Sequence, residues 1–256
     1  MESGRFWRMD ADYHTHTVYS HGKGTIKDNI ESARIKGIKI LGISDHGPGH
    51  KGFGIKKDDI FLMRDEIDSL NDMYDDIEVR LGLEANISMT DGSLDVDYEM
   101  MQSLDYLMAG YHFGTMDRPI LTSAKIHFYN YISEHSNSIE RRVKIVNTKA
   151  FIRAMESYDL LAVTHPGAKG PLFMDEVIKA AMENDVFLEI NNKHGHLSVD
   201  EIRLAGEMGA DLIVGSDAHR PEDVGMVDGA IDIIEKSGID RKNIYNMTYF
   251  SEGVVK

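Results

Sequence analysis

The stretch Ile-Lys-Ile-Leu-Gly-Ile-Ser-Asp-His-Gly-Pro, residues 38–48, contains the pattern that decides the fold. Its first half is a short, near-continuous apolar run, which is typical of a strand buried on both faces of a parallel sheet. Its second half places Asp45 and His46 directly after that strand and closes in a Gly-Pro turn. The same unit, a buried strand that ends in chemically active side chains, recurs along the rest of the chain.

Apolar runs of this kind alternate with amphipathic segments from one end of the chain to the other. We count seven candidate strands, at 12–14, 38–44, 78–85, 106–111, 160–164, 186–191 and 211–216. Between them, apolar residues recur at three- and four-residue steps, which indicates helices at about 26–33, 60–74, 138–156, 174–181 and 227–234. Ser198 and Glu201 predict a capping box before a further helix, and Gly37, Gly209 and Gly238 stand where helices should end.

This alternation predicts an α/β protein built on a parallel sheet. Seven units without an obvious edge strand favour a closed (βα)7 TIM-like barrel over an open, doubly wound sheet. The Gly-x-Gly-x-x-Gly spacing that would support a dinucleotide site in the open sheet is missing after the first strand. We expect one barrel domain over residues 1–256, with an insertion at about 113–146 that serves as a lid or a dimer contact.

Composition narrows the chemistry. The chain has 256 residues, a formal net charge of −15 and no cysteine, so any metal ion must be held by His, Asp or Glu. The excess of 43 acidic over 28 basic residues argues against a nucleic-acid partner, although a small anion can still bind at a locally positive site. Because no apolar run is long enough for a bilayer or a secretion signal, we expect a cytoplasmic protein without membrane contact.

Histidines and carboxylates stand at or just beyond the ends of the predicted strands, and in a parallel barrel these ends converge on one face. His14 and His16 have the i, i+2 spacing that points two side chains to the same side of an extended chain. Asp217 and His219 have the same spacing, so each pair can chelate an ion. Imidazoles and carboxylates without thiolates suit zinc, manganese or iron, and Glu84 is the carboxylate that we expect to bridge two ions.

Six motifs, taken in order, resemble those of the PHP (polymerase and histidinol phosphatase) family. They are His14-Thr15-His16-Thr17 with His21 after it, Ser44-Asp45-His46-Gly47-Pro48, Gly82-Leu83-Glu84-Ala85-Asn86, Gly110-Tyr111-His112, Thr164-His165-Pro166-Gly167 and Gly215-Ser216-Asp217-Ala218-His219. Within that family the chain looks like the small stand-alone phosphatases, which hold three divalent metal ions in a distorted (βα)7 barrel. The resemblance spans about residues 12–236.

The resemblance implies a set of nine metal ligands. The first ion would be bound by His14, His16, Glu84 and Asp217. The second would take His21, His46 and His219, and the third His112 and His165 with Glu84 shared as the bridge. Zinc is favoured, with manganese or iron as alternatives.

The same resemblance implies a phosphatase that hydrolyses a small phosphorylated metabolite by means of a metal-bound hydroxide. Histidinol phosphate is one candidate substrate that nothing in the sequence singles out. Asp45 and Asn191 are candidates for orienting the ligands from behind. Candidates for contacting the phosphate or protonating the leaving group are Lys193, His194 and Arg220.

Two other functions are weighed against this one. A phosphodiesterase or exonuclease acting on nucleotides or short oligonucleotides would use the same metal cluster, but the negative charge and the lack of a basic stripe argue against it. A non-catalytic, metal-binding regulatory domain would be expected to lose ligands, whereas this chain keeps all nine. The natural substrate, the metal used in the cell and the oligomeric state stay open at this stage.

Overall fold

A sheet of seven parallel strands forms the centre of the molecule. The computed structural model describes residues 5–115, 128, 130 and 137–251. In chain order the strands are β1 (Arg5–Met9), β2 (Ala11–Asp12), β3 (Ile40–Ile43), β4 (Glu78–Asn86), β5 (Tyr106–Gly110), β6 (Ala162–Val163), β7 (Phe187–Asn191), β8 (Leu212–Gly215) and β9 (Met247–Ser251). The sheet takes β2 to β8 in sequential order, and all seven predicted strands are confirmed.

The two outer strands of this sheet, β2 and β8, meet at their C-terminal ends. Thr15 and Ala218 form an isolated parallel bridge, and the amide of His16 donates to the Ala218 carbonyl over 2.8 Å. The buried carboxylate of Asp12 accepts from the Ser216 amide over 3.3 Å across the same junction. The sheet is therefore a nearly closed barrel, and the open, doubly wound alternative is excluded because its strand order would reverse in the middle.

Helices connect the strands and cover the outside of the barrel. In chain order they are α1 (Ile26–Ile35), α2 (Asp59–Met73), α3 (Tyr98–Met101), α4 (Asn137–Ser157), α5 (Met174–Glu183), α6 (Val199–Met208) and α7 (Asp228–Ser237). Two short 3-10 helices flank α7: Pro221–Asp223 precedes it and Arg241–Asn243 follows it. The capping box of Ser198 and Glu201 is confirmed, and Gly209 ends α6 in the left-handed conformation that glycine favours, with φ of 87°.

Side chains of the strands alternate between two apolar cores. Leu107 and Ala109 of β5 pack in the large core between the sheet and the helices, whereas Met108 between them joins a small core inside the barrel. Met108 pairs with Glu84 across β4 and β5, and such partners point to the same face of a sheet. The carboxylate of Glu84 is therefore directed into the barrel interior, away from the helices.

The structure contains two elements that the sequence analysis did not predict, and it leaves most of one predicted segment outside the described residues. The antiparallel ribbon of β1 and β9 and the single-turn helix α3 were not predicted. Most of the 113–146 insertion lies outside the described residues, so its function as a lid or dimer contact stays a prediction. A search of the described helices finds none with the length and apolar character needed to cross a membrane.

Candidate metal centre

Glu84 is the hub of the cluster at the C-terminal end of the barrel. It lies near the end of β4, fully buried, and its Oε1 atom is 2.9 Å from Nε2 of His165 and 3.3 Å from Nε2 of His112. Its Oε2 atom is 2.8 Å from Nδ1 of His46, which follows β3. Three strands thus bring an imidazole to one carboxylate, as the sequence predicts for a bridging residue.

The two pairs with i, i+2 spacing face this carboxylate from the junction of β2 and β8. Nε2 of His14 lies 3.3 Å from Glu84 Oε1, and Nε2 of His16 lies 3.7 Å from Glu84 Oε2. Asp217 Oδ1 is 3.4 Å from the same nitrogen of His16 and 3.2 Å from Nδ1 of His219. Both members of each pair therefore point into the barrel mouth, as an extended chain requires.

His21 joins the cluster from the loop after β2. Its ring centroid is 4.2 Å from that of His219 and 5.0 Å from that of His46. The exposed ring of Phe53 covers His21 with a centroid distance of 4.5 Å. The loop thus folds back as the predicted ligand set requires.

Unsatisfied polar atoms in the cluster fit metal ligation. Buried nitrogen and oxygen atoms almost always have a hydrogen-bond partner, because burial without one costs free energy. Among the described residues, several predicted ligand atoms have no partner in hydrogen-bond geometry, namely His14 Nε2, both ring nitrogens of His16 and His21 Nδ1. The same holds for His46 Nδ1 and Glu84 Oε2, which lie 2.8 Å apart. Nitrogen and oxygen donors that converge without hydrogen bonds are the donor set that divalent transition metals take up.

Three overlapping triads of these residues have ligand atoms within 4.8 Å of one another. They are His14, His16 and Asp217; His16, His46 and His219; and His46, Glu84 and His112. The first triad lies within the first predicted set. The other two triads combine residues from different predicted sets, because His16 joins His46 and His219, and His46 joins Glu84 and His112.

The pKa shifts of Glu84, His16 and His21 favour the protonation states in which these side chains bind metal ions. Burial alone would raise the pKa of Glu84, but the surrounding imidazoles, His112 foremost, hold it well below its usual range. Burial, with His46 close by, lowers the pKa of His16 well below its ordinary value. Burial also lowers the pKa of His21 to about 3. At neutral pH Glu84 is therefore a carboxylate and His16 and His21 are neutral imidazoles, the forms that coordinate metals. Burial lowers the pKa of His14 as well, but the Glu189 carboxylate, with Glu84 and Asp217, raises it well above its ordinary value, so a metal ion bound there would displace a proton.

Two of the predicted ligands have strained backbone. His165 has φ of 29° and Asp217 has φ of 52°, in the left-handed region that residues with a Cβ rarely adopt. Such conformations cost on the order of 1–3 kcal/mol and concentrate at functional sites. Each residue lies two positions after the end of a strand, and its side chain contacts other residues of the cluster.

Asp45 and Asn191, which we expect to orient the metal ligands, contact different parts of the cluster. Asp45 accepts from the amide and hydroxyl of Thr17 over 2.7 and 2.5 Å and so holds the chain that leads from His16 to His21. Asn191 donates to Asp217 Oδ2 over 3.2 Å. These contacts agree with the ligand-orienting function predicted for Asp45 and Asn191.

The three candidates for substrate contact divide between the cluster and the surface. Nζ of Lys193 lies 2.6 Å from Nδ1 of His219, and Nε2 of His194 lies 3.5 Å from Asp217 Oδ2. Arg220 pairs with Glu222 and leaves 62% of its side chain exposed, so its contact with a phosphate stays a prediction.

Sequence reasoning missed three polar residues behind the ligands. Glu189 on β7 accepts from His14 Nδ1 over 2.6 Å, and Asn86 on β4 contacts His112 Nδ1 over 2.9 Å. Asp95 in turn accepts a hydrogen bond from the backbone amide of Asn86 over 2.6 Å. The signal for Glu189 was a lone carboxylate inside an apolar strand, the same signal that identified Glu84.

The geometry agrees with a comparison against protein families. Residues 12–193 match the PHP domain. The chain belongs to the PHP domain family. This match covers the strands and helices from β2 to β7, and the resemblance read from the six motifs is confirmed.

Relatives of this PHP domain carry phosphatase names. A protein of Thermoanaerobacter sp. named a probable phosphatase is 30% identical over 255 residues, which covers 93% of this chain and 91% of the relative. A protein of Escherichia fergusonii with the same description is 31% identical and covers 93% and 90% of the two chains.

Solved structures support the fold of this PHP domain. A histidinol phosphate phosphatase of Lactococcus lactis, solved with zinc, L-histidinol and phosphate, has a TM-score of 0.60 at 17% identity and covers 91% of this chain and 95% of that chain. A structure from Listeria monocytogenes has a TM-score of 0.63 at 16% identity and covers 84% and 97%. At these identities the likeness concerns the fold, a PHP-type barrel.

Proposed function

We propose that this PHP domain is a metal-dependent phosphatase that hydrolyses a phosphate monoester of a small metabolite, with three divalent ions as its cofactor and zinc as the favoured metal. The observation that carries the proposal is the convergence of the nine predicted ligands, Glu84 among them, at the C-terminal end of the barrel, several of them with buried atoms that lack hydrogen-bond partners among the described residues. The phosphatase names of relatives that align over most of the chain support the reaction class.

The ligand sets implied by the family resemblance remain our assignment. His14, His16, Glu84 and Asp217 would hold the first ion, His21, His46 and His219 the second, and His112 and His165 the third, with Glu84 shared. Divalent ions held there supply Lewis-acid polarisation of the phosphate oxygens and activation of water at neutral pH. No side-chain nucleophile is then needed, in agreement with a chain that has no cysteine.

Side chains at the rim would bind and orient the substrate. Lys193 leaves 42% of its side chain exposed while its ammonium group reaches the cluster, so it can meet a phosphate that enters from solvent. His194 is partly buried beside Asp217, and burial lowers its pKa to about 4. His194 is therefore neutral at pH 7 and can accept a hydrogen bond from the substrate or donate one to its leaving group.

The electrostatic balance favours a small dianion over a polymer. Three divalent ions would add about six positive charges against the carboxylates of Glu84 and Asp217, which leaves a locally positive site in a chain of net charge −15. The negative charge of the surrounding surface would repel a polyanion, whereas a small phosphate monoester would be attracted by the local positive charge of the site. L-histidinol and phosphate, which are bound in the Lactococcus lactis structure, support a substrate of this size.

Two chromogenic esters test the proposal. Zinc- or manganese-loaded protein should hydrolyse p-nitrophenyl phosphate and leave bis-p-nitrophenyl phosphate nearly untouched. The reverse preference would favour a phosphodiesterase, and loss of activity on both esters in fully loaded protein would contradict catalysis.

Substitution of ligands tests the site. H14A and D217A should each lower turnover of p-nitrophenyl phosphate at least about 100-fold, because each removes a side chain that faces the hub carboxylate. H196A is the matched control, since His196 is an exposed histidine of the neighbouring loop, and it should keep wild-type rates. Circular dichroism checks that all three variants fold. Wild-type rates in both ligand variants would refute the assignment.

A further inference from the structure

Glu189 is a buried carboxylate that forms no ion pair with a Lys or Arg side chain of the described residues. Its side chain is fully buried on β7, and among the described residues its only ion-pair contact is with His14. Burying a carboxylate costs several kcal/mol unless hydrogen bonds compensate. This placement indicates that Glu189 has a task in the metal centre, on whose existence the following inference rests.

One oxygen of Glu189 determines where the proton of His14 sits. Oε1 lies 2.6 Å from Nδ1 of His14, and an ionised carboxylate can only accept a hydrogen bond. Nδ1 therefore carries a proton. The opposite ring nitrogen, Nε2, has no partner in hydrogen-bond geometry among the described residues and lies 3.3 Å from Glu84 Oε1 and 3.9 Å from Asp217 Oδ1. The nitrogen that faces the cluster is thus the one left for metal coordination.

The other oxygen of Glu189 links two further ligands. Oε2 accepts from the backbone amide of His165 over 2.7 Å and from Nδ2 of Asn191 over 3.1 Å. Asn191 Nδ2 also donates to Asp217 Oδ2. The orientation of this amide is fixed, because its Oδ1 already accepts from the backbone amides of residues 193 and 194. One carboxylate therefore connects ligands that follow β2, β6 and β8.

The backbone of β8 leaves room for this arrangement. Gly215 lies beside Glu189, and a Cβ at this position would come within 2.0 Å of Glu189 Oε1. Any larger residue at 215 would displace the carboxylate from His14. The close approach explains why the motif that holds Asp217 begins with glycine.

We propose that Glu189 is a positioning residue of the metal centre: it keeps His14 in the tautomer with Nε2 free for the ion and couples His14, His165 and Asp217 into one preorganised unit. Acceptors behind metal-bound histidines also make the imidazole a better ligand, and their loss typically lowers metal affinity about 10–100-fold.

The variant E189Q tests this with almost no change of shape. A glutamine has one amide nitrogen, which must face either Nδ1 of His14 or the amide of His165. In the first case His14 loses the acceptor that fixes its tautomer, and in the second case two N–H donors oppose each other. E183Q is the matched control, because Glu183 is a surface residue at the end of α5 with 63% of its side chain exposed.

Zinc titration against a chromophoric chelator should show about 10–100-fold weaker binding of at least one ion in E189Q and no change in E183Q. In parallel, ¹⁵N-labelled wild-type protein should show a downfield imidazole proton on Nδ1 of His14, with and without zinc, that disappears in H14Q and shifts or is lost in E189Q. This signal needs no variant to fold, so its absence from the wild-type protein would overturn the proposal. Zinc affinity within about twofold of wild type in folded E189Q would overturn it too.

The two readouts separate this proposal from the proposed function. If wild-type protein binds zinc but hydrolyses no phosphate ester, the phosphatase function fails while the zinc titration still tests Glu189. If wild-type protein binds no zinc, the metal centre fails, and the Nδ1 proton alone decides whether Glu189 fixes His14.

Discussion

At the scale of single residues, hydrogen bonds fix the proton of a second predicted ligand. Nδ2 of Asn86 donates to Asp95 Oδ2 over 2.5 Å and to the Gly47 carbonyl over 3.4 Å, and both of these oxygens can only accept. Oδ1 of Asn86 therefore faces His112 and accepts its Nδ1 proton over 2.9 Å. In the neutral imidazole, Nε2 of His112 then carries the lone pair, and it faces Glu84 Oε1 over 3.3 Å and Nε2 of His165 over 3.1 Å.

Asp95 yields a prediction about pH. Burial raises the pKa of Asp95 to about 6, although hydrogen bonds from Asn86 and Gly49 oppose the shift. Because this pKa lies above the unfolded value, the contribution of Asp95 to the unfolding free energy is highest in acid and declines as the pH rises through 6. Between about pH 4 and pH 7 the decline should be roughly 2 kcal/mol.

The variant D95N lacks this titration, so the wild-type protein should lose about 2 kcal/mol relative to D95N over that pH range. Urea unfolding of both metal-free proteins at several pH values measures the difference. The hydrogen bonds lost in D95N add an offset that does not depend on pH, so a difference that stays constant from about pH 4 to pH 7 would refute the shifted pKa.

At the scale of elements, the pattern of apolar residues was sufficient for the barrel strands. Strands such as β3 and β8 are short, apolar and buried, and their period and length identify them without tertiary information. The pattern did not predict the ribbon of β1 and β9, because its two strands lie at opposite ends of the sequence and pair only in the folded chain. The helix α3 spans four residues, too few for a helical period to appear.

The candidate site, like the fold, was predictable where local sequence patterns mark it and not where it depends on contacts that form only in the folded chain. Metal ligands such as His46 and His165 follow strand ends in recognisable motifs, so a sequence shows them directly. Glu189 acts through contacts with residues far away in the chain, and Asp95 acts through Asn86, nine positions before it, and Gly49; no local spacing marks such contacts. The separation of 175 positions between Glu189 and His14 illustrates why only the fold reveals their hydrogen bond.

The capping box of α6 allows a prediction at this scale. The Ser198 hydroxyl accepts from the Glu201 amide, and the Glu201 carboxylate accepts from the Ser198 amide over 2.9 Å. S198A should lower the free energy of unfolding by about 1 kcal/mol, because it leaves an amide of the first turn without its partner. Chemical denaturation measures the loss. Zinc affinity serves as the control and should stay unchanged, since neither residue contacts the cluster.

At the scale of the whole molecule, barrel closure turns distant motifs into one site. His14 and His219 lie more than two hundred positions apart, yet the bridge between Thr15 and Ala218 brings their chain segments side by side. Near this junction His14 Nε2 and both ring nitrogens of His16 are buried without a hydrogen-bond partner among the described residues. We therefore expect metal binding and folding stability to be coupled.

This coupling predicts a metal-dependent melting temperature. Zinc at about 100 times its dissociation constant should add roughly 2.7 kcal/mol per site to the unfolding free energy, and a chelator should remove the gain. Differential scanning calorimetry across a zinc series measures the shift. D217A should show a smaller rise than the wild-type protein. The same melting temperature with zinc and with chelator would contradict the coupling.

Metal content measured together with activity tests the central claim most directly. The protein is purified without chelator or histidine tag, analysed by plasma mass spectrometry and assayed on p-nitrophenyl phosphate in the same preparation. We expect about three equivalents of zinc, manganese or iron per chain and turnover of the ester that falls as the ions are removed. Less than about one equivalent, with no gain of metal or activity when ions are added back, would contradict the metal centre.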